Sequence, residues 1–371
     1  MELEREMLRE REEEPQEYER WVYVNRDDEK AHMAKLPRVI HCADVPGVAS
    51  PKGTSADKKG GPSRKGRAVF IPWRRGKWEE MHFPIYTMEA HGHAGKPVGP
   101  DYKVGASGCH RHWMEACFIR PSGAYIEEQD GVHYECQGEG VLCVPTYSIH
   151  GHFFKEPPTK FGLTVISHIF EYLGLADMEL FDIDETYQRR GKPLGDFHII
   201  QEMQDIIYAR RAVTRWDGGE PKTIYDRYLK DIPDENRWRM QAQRWIPADT
   251  VPWENTCQGK IRYIVHPWSK SVLRTLDCFQ QEIPPGGYTG KHRHLYEELH
   301  WIDSGEGYII QNGVRYNWKA GDLVCIPIGV THQEFNTSDQ PVKIWGVHPR
   351  VYMWIGYGGI EQFENASDYK P

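Results

Sequence analysis

Two stretches of this chain are written over one template. Residues 108–150 (GCHRHWMEACFIRPSGAYIEEQDGVHYECQGEGVLCVPTYSIH) and 290–332 (GKHRHLYEELHWIDSGEGYIIQNGVRYNWKAGDLVCIPIGVTH) align without a gap. His110, His112, Pro145 and His150 fall on His292, His294, Pro327 and His332, each pair 182 positions apart. Upstream, FIPW at Phe70–Trp73 echoes VHPW at Val265–Trp268, and Ala43–Pro46 echoes Ala248–Pro252. The separation there is larger because the first copy carries the low-complexity run KGTSADKKGGPSRKG. A module present twice must be one structural unit repeated.

Each copy reads as all-β. YIEEQDGVHYEC alternates about Asp130-Gly131 and YIIQNGVRYNW about Asn312-Gly313, the strongest short-range hairpin signals. AGDLVCIPIG is a turn, a short apolar strand and a Pro-x-Gly stop. Short strands with frequent turns predict two jelly-roll barrels. Between them, DFHIIQEMQDIIYARRAV and TIYDRYLKDI have helical spacing. The expected organisation is a charged, helical arm over 1–40, one barrel over 41–168, a partly helical linker over 169–245 and a second barrel over 246–371.

The repeat carries a histidine pattern. His292 and His294 are two apart, so on a strand both point to one face, and Glu298 and His300 share that parity. His332, after the Pro327–Gly329 turn, would come from a facing strand. Three imidazoles and a carboxylate suit a first-row divalent metal. The first copy keeps His110, His112 and His150, but Ala116 stands where the second has Glu298. His152, two past His150, is the expected acid–base group. Arg111 and Arg293 have the opposite parity and should face away from the metal. His91 and His93 are expected in a surface loop. Trp113, Tyr125, Tyr147, Trp301 and Tyr308 are candidates for lining a cavity or filling a core.

GGYTGKHRHLYEELHWIDSG and GDLVCIPIGVTHQEFN resemble the two signature motifs of the cupin superfamily, and the doubled module resembles a bicupin. The first copy, with His-Arg-His-x3-Ala and PTYSIHGH, resembles the N-terminal half of gentisate 1,2-dioxygenases and their salicylate-cleaving relatives. Two departures stand out. Phe118 occupies the place where that family tends to carry a carboxylate-binding arginine, and the C-terminal half keeps a full ligand set.

This resemblance implies two double-stranded β-helix barrels and metal sites at His110, His112 and His150 and at His292, His294, Glu298 and His332. It implies a non-haem dioxygenase that uses Fe(II) and O2 to cleave a hydroxylated aromatic. Mn, Ni, Cu and Zn are the other metals that imidazole suits. The four-ligand set also resembles oxalate decarboxylases and quercetin dioxygenases, and a non-catalytic, metal-binding or ligand-sensing cupin is the third alternative. Association into a homo-oligomer, with a dimer first, follows from the resemblance and from the extra arm and linker.

Composition narrows the partners. With 46 basic and 54 acidic residues the net charge is −8, which argues against nucleic acid or an anionic membrane surface. No stretch approaches the ~20 apolar residues needed to span a bilayer. The opening residues are charged throughout, without a secretory signal, so a cytoplasmic location is expected. The eight cysteines include no Cys-x-x-Cys pair and read as reduced, buried side chains.

Overall fold

The computed structural model describes residues 36–41, 68–70, 86–91, 96–97, 109–156, 162–167, 169, 178–181, 219–231, 241–266, 268–269 and 271–371. Residues 1–35 of the expected N-terminal arm and the longer of the two expected helices lie outside them; the end of the arm, Val39 and Ile40, is in a strand rather than a helix. Among the described residues, strands form four sheets, two to each barrel.

In the N-terminal barrel, one sheet runs Met178–Phe181, Cys109–His112, His150–Glu156, Ala124–Gln129, Val132–Gln137. Its facing sheet runs Trp245–Pro247, Gly140–Val144, Ala116–Arg120, Gly162–Ser167, Tyr86–His91, Ala68–Phe70. His91 therefore ends a strand, opposite Gly162, rather than lying in a loop. In the C-terminal barrel, Val314–Lys319, Glu306–Gln311, His332–Asn336, Lys291–His294 and Ile360–Glu364 form one sheet. The other is built around Asp322–Ile326, Glu298–Ser304, Val342–Pro349, Leu276–Ile283 and Gly259–Val265.

The hairpins fall where the Asx-Gly pairs put them. Asp130 (φ 51°) with Gly131 (φ 81°), and Asn312 (φ 48°) with Gly313 (φ 84°), take the left-handed conformation that a two-residue turn requires. Ala124–Gln129 and Val132–Gln137 then map onto Glu306–Gln311 and Val314–Lys319 in the register of the sequence repeat.

The barrels exchange edge strands. Val39–His41 pairs with Asp322–Ile326 of the C-terminal barrel, and Trp245–Pro247 pairs with Gly140–Val144 of the N-terminal one. The two inner sheets pack back to back. Cys117, Ile119, Cys143, Leu163 and Val165 meet Cys278, Leu299, Trp301, Cys325 and Trp345 in one buried cluster. Alternation along each strand then turns Ala116, Phe118 and Arg120, and likewise Glu298, His300 and Ile302, into the barrel interiors.

Within the linker a short helix covers 224–231. Thr223 Oγ1 accepts from Asp226 N (3.0 Å), and Asp226 Oδ2 accepts from Thr223 N (2.8 Å), a reciprocal cap at its start. Cys117, Cys136, Cys143, Cys257, Cys278 and Cys325 are free thiols among the described residues. No helix there is long and apolar enough to cross a membrane.

Candidate metal centres

Each barrel brings its three histidines together. His150 pairs directly across from His110, and His332 directly across from His292. His112 and His294 follow two residues along on the same face. Within each trio one nitrogen from each ring lies within 4.8 Å of the other two, a spacing on which one ion could be held.

Backbone carbonyls set the orientation of the rings. Nδ1 of His112 donates to Met114 O (2.7 Å), that of His150 to Ser148 O (2.8 Å) and that of His332 to Val330 O (2.9 Å). His292 and His294 do the same with Gly290 O (3.2 Å) and Tyr296 O (2.7 Å). Such contacts place the proton on Nδ1 and leave the Nε2 lone pair for a metal. Nε2 of His150 and of His332 are buried without any hydrogen-bond partner. An orphaned polar atom of this kind costs about 1–3 kcal/mol, which a bound ion would remove. Burial pushes the pKa of His292 down to about 4 and those of His150 and His332 well below the usual histidine range, so the rings are neutral. The donors present fit a divalent first-row ion.

Around these trios the barrels differ. In the C-terminal one, Glu298 Oε2 lies 3.3 Å from His294 Nε2, and its other oxygen is hydrogen-bonded to His300 Nε2. His300 Nδ1 reaches Glu334 Oε1 at 2.9 Å. Burial favours the neutral imidazole, but Glu334 and Glu298 outweigh it and raise the His300 pKa to about 10. Burial likewise opposes the Glu298 charge, yet His300 and His294 hold its pKa well below the usual carboxylate range. The same shell in the N-terminal barrel is Ala116, Phe118 and His152.

His152 faces Glu127 across the sheet, with Nδ1 2.6 Å from Glu127 Oε2, and its ring lies 4.4 Å from that of Phe118. Burial, with Arg120 adding to it, lowers the His152 pKa to about 3, and burial raises that of Glu127. Both shifts favour the uncharged partners. Arg120, on the inward parity of Phe118, is 2% exposed and lies over the Phe118 and Tyr125 rings at 5.0 and 4.8 Å. Its Nε and Nη1 have no hydrogen-bond partner. The C-terminal barrel has Ile302 and Ile309 where this one has Arg120 and Glu127, and both belong to its apolar interior.

The expected histidines and Glu298 thus sit on the inner faces, and Arg120 and Glu127 join them there without belonging to the histidine pattern. The repeat carried a signal for both, because charged residues stand at positions that are isoleucine in the second copy. Arg293, facing outward, pairs with Glu361 (2.6 Å), and Arg111 lies 4.1 Å from the Tyr147 ring centroid. Of the aromatic candidates, Trp301 fills the core between the barrels, Trp113 stacks on Tyr147 and Tyr308 on Phe335.

Residues 279–352 match the cupin domain family. A 5-aminosalicylate 1,2-dioxygenase of a Comamonas species is 30% identical over 83 residues, which are 20% of this chain and 22% of that protein. An oxalate-binding protein of Thermotoga maritima is 33% identical over 69 residues, 18% of this chain and 57% of that one. The chain therefore spans less than two thirds of either relative. Among solved structures, a variant of salicylate 1,2-dioxygenase from Pseudoaminobacter salicylatoxidans in complex with gentisate covers 98% of this chain and 95% of its own. It superposes with a TM-score of 0.56 at 14% identity, a likeness of fold.

Proposed function

We propose that this chain, which carries a cupin domain in its C-terminal barrel and the two-barrel fold of a salicylate 1,2-dioxygenase, is an Fe(II)-dependent ring-cleaving dioxygenase. Its substrates would be a small hydroxylated aromatic of the gentisate or salicylate kind and O2. The observation that carries this reading is the N-terminal trio: three imidazoles converge and, among the described residues, Ala116 stands where the other barrel has Glu298. Fe(II) held by His110, His112 and His150 would supply the redox chemistry with O2 and keep its full charge for an anionic phenolate.

The chain's own groups divide the remaining work. His152, oriented through Nδ1 by Glu127, offers Nε2 as acceptor for the phenol proton. Ala116 and Phe118 provide an apolar surface. Arg120 supplies two unpartnered N–H groups for a ring carboxylate, in place of the arginine missing at Phe118. The test is O2 uptake with a panel of catechols, salicylates and hydroquinones. His150→Ala should abolish it and His332→Ala should leave most of it; the reverse pattern would move the chemistry to the other barrel.

A second reading is favoured by Glu298, whose carboxylate is held beside His294 by His300. His292, His294, Glu298 and His332 would then bind Mn, Ni, Cu or Fe in a four-ligand site of the oxalate decarboxylase or quercetin dioxygenase type. Consumption of oxalate or a flavonol, lost in Glu298→Ala, would support it. In either case we propose a homo-oligomer, a dimer first, which light scattering over a concentration series checks.

A further inference from the structure

The loop after the ligand His112 is tied to the opposite barrel. Glu115 is 1% exposed, and every hydrogen bond resolved for its carboxylate comes from the C-terminal barrel. Arg274 N donates at 2.8 and 3.0 Å, Thr275 N at 2.8 Å and Thr275 Oγ1 at 2.7 Å. His112 itself is held by Met114 O, one residue away. A buried carboxylate with charge-assisted bonds of this kind does not slide over its partners, because each broken bond leaves a desolvated charge short of a donor.

From Thr275 the chain of contacts continues to the other trio. Thr275 O accepts from Arg350 N (2.9 Å). The Arg350 guanidinium, 1% exposed, donates to Leu273 O (2.7 Å), Leu276 O (3.1 Å) and Asp277 Oδ1 (2.8 Å from Nε). Asp277 Oδ2 faces His348 Nδ1 at 3.8 Å. The His348 ring lies 4.8 Å from that of Tyr296, which stacks on His294 at 4.0 Å and 6°. Tyr296 O is also the acceptor for His294 Nδ1. Buried or nearly buried groups therefore lead from one candidate ligand, His112, toward another, His294; the step from Asp277 to His348 is electrostatic, since neither facing atom has a hydrogen-bond partner.

We infer that Glu115 couples the two centres, so that a metal ion in one barrel raises the affinity of the other. The inference rests on the reading that both trios bind metal. Rigidification is the means: fixing His112 fixes the Glu115 loop, which fixes the Arg274–Thr275 segment and the Arg350–Asp277 pair behind His294. Glu115 is a positioning residue here, remote from any reacting atom.

Cobalt(II) is the probe, because its visible spectrum reports coordination independently of turnover, and affinity is read by chelator competition. With Glu115 intact, His150→Ala should weaken cobalt binding at the C-terminal centre by about fivefold or more. In the Glu115→Gln background the same substitution should change it by less than about twofold. Thr275→Val, which removes one hydroxyl donor, should give an intermediate loss of coupling, and it decides the matter if Glu115→Gln does not fold. His110→Ala replaces His150→Ala on the same grounds. An unchanged C-terminal affinity in His150→Ala, or a drop that persists undiminished in Glu115→Gln or Thr275→Val, overturns the coupling. Fewer than two cobalt ions per unmodified chain overturns the two-centre reading, and the coupling with it.

Discussion

Tyr147 holds, at φ 66°, the backbone position that Gly329 holds at φ 71° in the other barrel. Both close the turn before the last histidine of the trio. Tyr147 N donates to His112 O (2.7 Å) and Gly329 N to His294 O (2.8 Å). A left-handed tyrosine costs about 1–2 kcal/mol that glycine does not. Tyr147 offsets it by stacking on Trp113, 4.5 Å between centroids, and by lying under the Arg111 guanidinium, 4.1 Å from its ring centroid.

The two turns should therefore respond oppositely to glycine chemistry. Tyr147→Gly relieves the backbone but removes a fully buried ring, so a net loss of about 2 kcal/mol or more is expected in denaturant unfolding. Gly329→Ala, with open space around the added methyl, should lose only about 1 kcal/mol, from the backbone. A stabilised Tyr147→Gly protein would show that the stack contributes nothing.

Arg120 should trade stability for binding. A buried guanidinium with two unsatisfied N–H groups is costly, and an apolar side chain of similar length removes that cost. Arg120→Met is expected to raise the melting temperature by a few degrees, for about 1 kcal/mol or more. If Arg120 anchors a carboxylate, KM for a carboxylated aromatic should rise about tenfold or more while that for a plain catechol does not. Equal changes for both substrates would remove Arg120 from the binding site.

Much of this architecture is legible in the sequence, for a physical reason. Asp130-Gly131 and Asn312-Gly313 dictate hairpins locally, and parity two places His110 with His112 and His292 with His294 on one face without knowledge of their partners. What escapes is long-range. Nothing near Val39–His41 says that this strand joins the C-terminal barrel, nor does anything near Trp245–Pro247 place it in the N-terminal one. Glu127 meets His152 only because two strands 25 residues apart pair in that register. The Glu115 contacts span 159 and 160 residues and involve backbone donors, which carry no residue signature at all.

His300 is expected to be the most sensitive residue around the C-terminal trio. It stands between Glu298 and Glu334, and all three are at most 5% exposed. His300→Phe imitates Phe118 of the other barrel but leaves two carboxylates buried without their common cation. Loss of one partner from a buried ionic group costs about 3–5 kcal/mol. Unfolding of the metal-free protein should show that loss. Changing Glu298→Ala and Glu334→His in the same protein, which completes the N-terminal pattern, should recover part of it. A single variant as stable as the parent would mean that His300 carries no charge there.

Metal loading should follow the symmetry of the two trios. Each brings three imidazoles to within reach of one ion, so each should take one divalent ion, close to two per chain after reconstitution. An ion that binds only the folded chain adds about 2.7 kcal/mol at a free concentration one hundred times Kd. Chelator treatment should therefore lower the melting temperature, and metal should restore it. His150→Ala and His332→Ala should each remove one ion from the saturated stoichiometry and at least one site's share of the stabilisation. Elemental analysis alongside calorimetry checks both quantities. If either variant still loads two ions, the histidine it lacks is not a ligand. If the parent loads fewer than one, neither trio is a metal site, and the orphaned Nε2 atoms of His150 and His332 need another partner.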